Sequence, residues 1–195
     1  MAERGRPRRP GSDEAILQAA RALMFEHGFA GFSMADVARH AGVGRQSVYR
    51  RWPTKSTLAV ASVTWSIDAD NAFPDRGSFE ADLRGALEML RDLYAQSSAP
   101  VFADVHAAMS GDPAARGLFE QHYRQPRRDS LRRALNRGIA RGELLETTDI
   151  EIVGDLVSGP FLHRLLSGST EFSDELVDAI VFSVLGLYGV PPRAH

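Results

Sequence analysis

Between Phe32 and Lys55 the sequence reads FSMADVARHAGVGRQSVYRRWPTK, and its spacing leaves the backbone few choices. Val37, Ala38 and Ala41 recur at helical intervals, which predicts a short helix from about Met34 to Ala41, with the Ser33 hydroxyl accepting from a first-turn amide. Gly42 follows where an abrupt helix end needs positive φ. A second short helix is predicted from about Arg45 to Trp52, with Val43 and Val48 filling the angle between the two and Ala38 allowing their close crossing. The result is a helix-turn-helix. Its second helix leaves Arg45, Gln46, Ser47, Tyr49, Arg50 and Arg51 outward, and these are hydrogen-bond donors, the groups that phosphates and base edges accept.

Charge supports that reading. Residues 1–58 hold 10 Lys or Arg against 5 Asp or Glu, and the rest hold 13 against 20, so the net −2 divides into +5 and −7. The front third is therefore the part suited to a polyanion. Cysteine is absent, which excludes disulfides, thiolate metal sites and cysteine nucleophiles, and fits a reducing compartment. No apolar run reaches the roughly 18 residues of a membrane span. The basic start MAERGRPRRP leads into an amphipathic helix and not an apolar signal core, so a cytoplasmic protein is expected.

Residues 1–11 are rich in Arg, Pro and Gly and read as a disordered basic arm. Within it Arg4 and Arg6, in Arg-Gly-Arg-Pro, resemble the core of an AT-hook, an extended segment that lies in a narrow minor groove; a solvated basic tail fits the same residues. Ser12 is expected to cap a helix ending at Gly28, with Ile16, Ala19, Ala20, Leu23 and Met24 buried. Pro53 ends the reading helix, and Thr54 caps a linking helix that carries Leu58, Ala61 and Trp65. Beyond a loop at 71–78, further helices start at Phe79, Pro100 and Pro113, the last running towards Arg141 with a kink near Pro126. Thr148 with Glu151 predicts a capping box for a helix from about Asp149 to Ser167, and Ser173 predicts the cap of the final helix. Period-2 strand patterns are missing throughout. The expected fold is all-α, about nine helices, with a three-helix head at 12–58 joined through the linking helix to a bundle at 59–195.

The run from Gly31 to Ala59 resembles the DNA-binding signature of the TetR family of transcriptional regulators, including Tyr49 to Trp52 and the Pro53 to Lys55 step into the fourth helix. It departs at Gly44, where Ser is common, and at Arg50-Arg51, which makes the reading face more cationic. Residues 159–166, GPFLHRLL, resemble one C-terminal subgroup of the same family. The resemblance implies a double-stranded DNA operator, repression as the usual mode, and a small-molecule effector held in the C-terminal domain. Arg45, Gln46 and Arg50 are the expected base readers, Ser33, Ser47, Tyr49 and Lys55 the expected phosphate contacts, and Arg51 suits either role.

For the effector the candidates are Phe102, His106, Met109, Phe119, Tyr123, Phe161 and His163, an apolar and aromatic set with polar tips; ordinary core packing accounts for each singly. The last two helices are more apolar than one buried face requires, so Ile152, Leu156, Val177, Val181, Val184 and Leu185 are expected to pair two chains as a four-helix interface, the alternative being the core of a monomer. His106, His122 and His163 are scattered and no Ser stands in a nucleophile turn, so catalysis, metal and cofactor are not expected. A dimeric accessory DNA-binding protein without an effector is the other reading. Deleting residues 1–11 is expected to weaken duplex binding most where the flanks are A·T-rich, measured by titrating duplexes that differ only in their flanks; equal losses on G·C-rich flanks identify a plain electrostatic tail.

Overall fold

The computed structural model describes residues 12–65, 67–95, 99–169 and 171–191. Among them it contains ten α-helices and no strand, only an isolated bridge between Leu144 and Gly189. The helices are α1 (Ser12–Gly31), α2 (Met34–His40), α3 (Arg45–Arg51), α4 (Lys55–Thr64), α5 (Phe79–Ala95), α6 (Ala99–Ser110), α7 (Pro113–Phe119), α8 (Gln125–Ala140), α9 (Ile150–Leu166) and α10 (Asp174–Tyr188). The expected long helix from Pro113 is present as α7 and α8 joined by a π turn at Glu120–Arg124. Pro126 has no amide to donate, and the widened turn just before it absorbs the lost bond.

The chain divides into two compact units, and the division differs from the sequence boundary at 58/59. One takes residues up to 66 together with Asp104–Phe119; the other takes Ile67–Ala103 and the chain from Glu120 onward. In the first unit α1 is non-helical at Gly28, whose φ of 69° lets the chain turn before α2. Ile16, Leu17, Ala20, Leu23 and Met24 form its buried stripe, with Leu17 in the place expected of Ala19. Gly42, at φ 65°, makes the elbow between α2 and α3, where the Val43 amide donates to Ala38 O. The linking helix α4 is buried on most sides, but Trp65 beyond its end is exposed.

In the second unit, the loop before α5 is anchored to α8. The Phe73 amide donates to the buried Ser130 hydroxyl at 3.0 Å. Asp82 is fully buried, accepting from the Arg76 amide at 2.6 Å and from Arg137 Nη2 at 2.7 Å. Asp75 receives Arg141 at 2.7 Å on the same side. The capping box expected of Thr148 and Glu151 is not formed. Asp149 one residue later is the N-cap, its carboxylate accepting from the amides of Glu151 and Ile152, while the Thr148 hydroxyl donates back to Leu145 O. A carboxylate at the helix start satisfies two free amides and meets the positive end of the dipole, so it displaces the hydroxyl. Replacing Asp82 by Ala is expected to lower unfolding free energy by about 3 kcal/mol, because Arg137 then keeps its charge without its closest carboxylate; urea denaturation measures it.

Candidate nucleic-acid interface and C-terminal site residues

The reading helix α3 stands on Val48, which is fully buried with Val37 and, at 2% exposure, Ala38. That contact turns the opposite side outward. Arg45, Gln46, Tyr49 and Arg50 are all exposed there, Arg45 one turn from Tyr49 and Gln46 one turn from Arg50. Gly44 precedes α3 without a side-chain cap, as its missing hydroxyl dictates.

Arg51 and Lys55 are differently placed. Arg51 folds back onto α1: Nε meets Asp13 at 2.5 Å, Nη2 donates to Ser12 Oγ at 3.0 Å and Nη1 to Ser47 O at 3.0 Å. Lys55 Nζ lies 4.8 Å and 4.7 Å from the ring centroids of Phe29 and Phe32 and donates to Ala30 O at 3.2 Å, tying the start of α4 to the end of α1. Burial there pushes the Lys55 pKa below its ordinary value. Ser33 is exposed, yet its hydroxyl oxygen caps α2 by accepting from the Asp36 amide and its single hydrogen is donated to Asp36 Oδ2 at 2.5 Å. That hydroxyl holds the Asp36 carboxyl below its ordinary range, with Arg39 adding to the effect. Ser47 is half-buried. Arg4 and Arg6 lie outside the described residues.

Of the effector candidates, Phe102, Tyr123 and Phe161 belong to the second unit and His106, Met109 and Phe119 to the first. In the second unit Tyr94 is the centre of a cluster: Phe102 packs edge-on at 5.2 Å, Phe172 at 5.6 Å and Phe161 at 6.3 Å, and Phe161 stacks on Phe172 at 5.8 Å. Burial pushes the Tyr94 phenol well above its ordinary pKa, helped by a hydrogen bond with Tyr123. Tyr94 and Phe172 were not among the expected contacts, although Tyr94 belongs to the apolar stripe of α5. In the first unit His106 meets the Phe119 ring edge-on at 5.2 Å. His163 is a correction. It is exposed on α9, on the side away from buried Phe161 and Leu165, and does not point into the aromatic cluster.

The expected pairing residues divide as well. Val177, Val181 and Val184 are buried within the chain and form the core side of α10, so they are not available to a second copy. Ile152 is exposed, and Leu156 and Leu185 are half-buried. On α9, Ile152, Leu156, Gly159, His163 and Leu166 follow one another at steps of four and three along one side. On α10 the most exposed large apolar residue is Phe182, at 79%. An apolar band wider than the buried stripe was the available signal for it.

Comparison with known proteins divides the chain by sequence instead. Residues 16–61 match the family described as bacterial regulatory proteins, tetR family, and residues 73–184 match the tetracyclin repressor-like C-terminal domain. The chain belongs to the TetR family. It is 31% identical over 183 residues to the HTH-type transcriptional regulator YdeS of Bacillus subtilis (strain 168), covering 94% of this chain and 92% of that protein. The DNA-binding transcriptional repressor TetR of Mycobacteroides abscessus is 28% identical over 174 residues, 88% and 90% of the two chains. Among solved structures, the TetR family transcription regulator SCO0332 superposes with a TM-score of 0.77 at 26% identity, over 94% of this chain and all of that one. The chain is accordingly a DNA-binding transcriptional regulator and not an enzyme. No helix among the described residues is long and apolar enough to cross a membrane.

Because Arg51 is spent on α1, Arg51→Ala is expected to lower stability by about 1 kcal/mol, a partly exposed charged hydrogen-bond loss. The salt slope of duplex binding is expected to stay unchanged. Thermal denaturation and a salt titration check the two halves; a slope reduced by about one phosphate places Arg51 on the DNA instead.

Proposed function

We propose that this regulator is a cytoplasmic homodimeric repressor that presents two copies of α3 to a palindromic duplex and is released by a small apolar or aromatic molecule. The observation that carries the reading is the exposed cluster Arg45, Gln46, Tyr49 and Arg50, which among the described residues makes no internal hydrogen bond while the neighbouring Arg51 and Lys55 do. Arg45, Gln46 and Arg50 are assigned to base edges; Tyr49, Ser47 and Lys55 are assigned to phosphates, the last by giving up its Ala30 carbonyl. Ser33 is assigned to holding α2 at the backbone. One short helix reads too few bases for useful discrimination, so a second copy on the next turn of the groove is required.

The exposed side of α9, with Ile152, Leu156 and Leu166, and Phe182 and Leu185 on α10 supply the pairing surface for that second copy. The effector is assigned to the aromatic cluster of Tyr94, Phe102, Tyr123, Phe161 and Phe172, whose rings suit a flat apolar molecule and whose phenols supply polar contacts. Coupling is reciprocal: the effector weakens DNA binding by the factor with which DNA weakens effector binding, typically about 5 to 150-fold.

Sedimentation at micromolar concentration is expected to give a dimer for the native chain and a monomer for Phe182→Asp. The variant should keep its helical circular dichroism, since Phe182 packs little within the chain. Selection from random-sequence duplexes is expected to return palindromes with the native protein and nothing with the monomeric variant. A native monomer on DNA, or recovery without symmetry, rules the dimeric reading out.

A further inference from the structure

Residues 104–119 fall within the stretch that matches the family's C-terminal domain, yet they are part of the same compact unit as the helix-turn-helix. Besides buried Val105, Ala115 and Phe119, two carboxylates of this segment hydrogen-bond to the head. Gly28 breaks the α1 hydrogen-bond ladder, and the next amide, Phe29 N–H, donates instead to Asp104 Oδ2 on α6 at 3.1 Å. On the far side of α2 and α3, the Thr54 hydroxyl donates to Asp112 Oδ2 at 2.6 Å. The other oxygen of Asp112 accepts from the amides of Ala114 and Ala115 at 3.0 Å and 3.1 Å, so one carboxylate serves the starts of both α4 and α7.

The two attachment points are joined directly. Lys55, next to Thr54, donates to Ala30 O beside Phe29 and lies over the Phe29 ring. Asp104, Phe29, Lys55, Thr54 and Asp112 thus close a circuit around the entry to α2 and the exit from α3. We infer that Asp104 and Asp112 are positioning residues for DNA binding, holding the two ends of the helix-turn-helix from a chain segment outside it. Neither touches the exposed face of α3. Their effect is on how large a fraction of heads holds that face in its binding arrangement, and apparent affinity scales with that fraction.

The inference rests on the DNA-reading proposal, and the test separates the two. The probe is a duplex selected from random-sequence DNA by the native full-length protein. Asp104→Ala is expected to bind it about five- to ten-fold more weakly, the loss of one hydrogen bond to a charged group. Its salt slope should be unchanged, and its thermal midpoint should fall only slightly, since the helix propensity of Ala at an exposed α6 position offsets part of the lost bond. Asp104→Asn, which keeps an oxygen for the Phe29 amide but loses the charge, should bind within about two-fold of native. Charge acts with the opposite sign, because removing a carboxylate near a polyanion tightens binding. Native-like or tighter binding by Asp104→Ala, or an equal loss in Asp104→Asn, overturns the inference. Should Asp104→Ala fail to fold, Asp112→Ser carries the test: its hydroxyl still caps α7 but leaves no second oxygen for Thr54, and it should weaken binding similarly. Native-like binding there overturns the inference too. A native protein that selects no duplex removes the DNA reading and this one with it.

Discussion

Burial of three small side chains at one elbow is what the rest of the head depends on. Val37, Ala38 and Val48 are almost completely out of water, and the Gly42 turn brings α2 and α3 close enough for them to meet. Each is small, so the contact stabilises the angle between the helices only if it stays close-packed. Everything polar on α3 is oriented by that contact. Arg45, Gln46, Tyr49 and Arg50 face outward because Val48 faces in, and Arg51, on another side of the same seven-residue helix, reaches α1 instead. One cationic helix therefore supplies both a recognition surface and an internal strut.

The second unit is held differently. An aromatic cluster around Tyr94 fills its middle, while Asp82, Arg137, Asp75 and Arg141 fix the loop before α5 against α8. A buried carboxylate of this kind gives direction that apolar burial lacks, because removing either partner strands a charge. Asp112 in the head has a similar directing part, with one oxygen for a helix start and the other for a hydroxyl.

Much of this was legible in the sequence. Gly42, Val48 and the Pro53-Thr54 step mark the elbow and the start of α4 through local geometry alone, and Pro126 marks the irregularity between α7 and α8. The assignments that changed share one cause. Val177, Val181 and Val184 as pairing residues, His163 as a pocket anchor, and Thr148 as a cap were read from a helix considered singly. Periodicity says that a stripe is apolar; it does not say whether its own chain or another copy covers it. Spacing equally cannot tell whether a capping hydroxyl will lose its place to a neighbouring carboxylate.

Local sequence thus determined the helices, the helix-turn-helix and the cationic character of its second helix, because caps, glycines and apolar spacing act over a few residues. Tertiary structure alone decided which donors remain available. Arg51 meets Asp13 across 38 positions, Lys55 meets Ala30 across 25, and Phe29 meets Asp104 across 75. Those partners are chosen by how α1, α4 and α6 pack, and a long-range hydrogen bond or ion pair leaves no periodic trace in the chain that forms it.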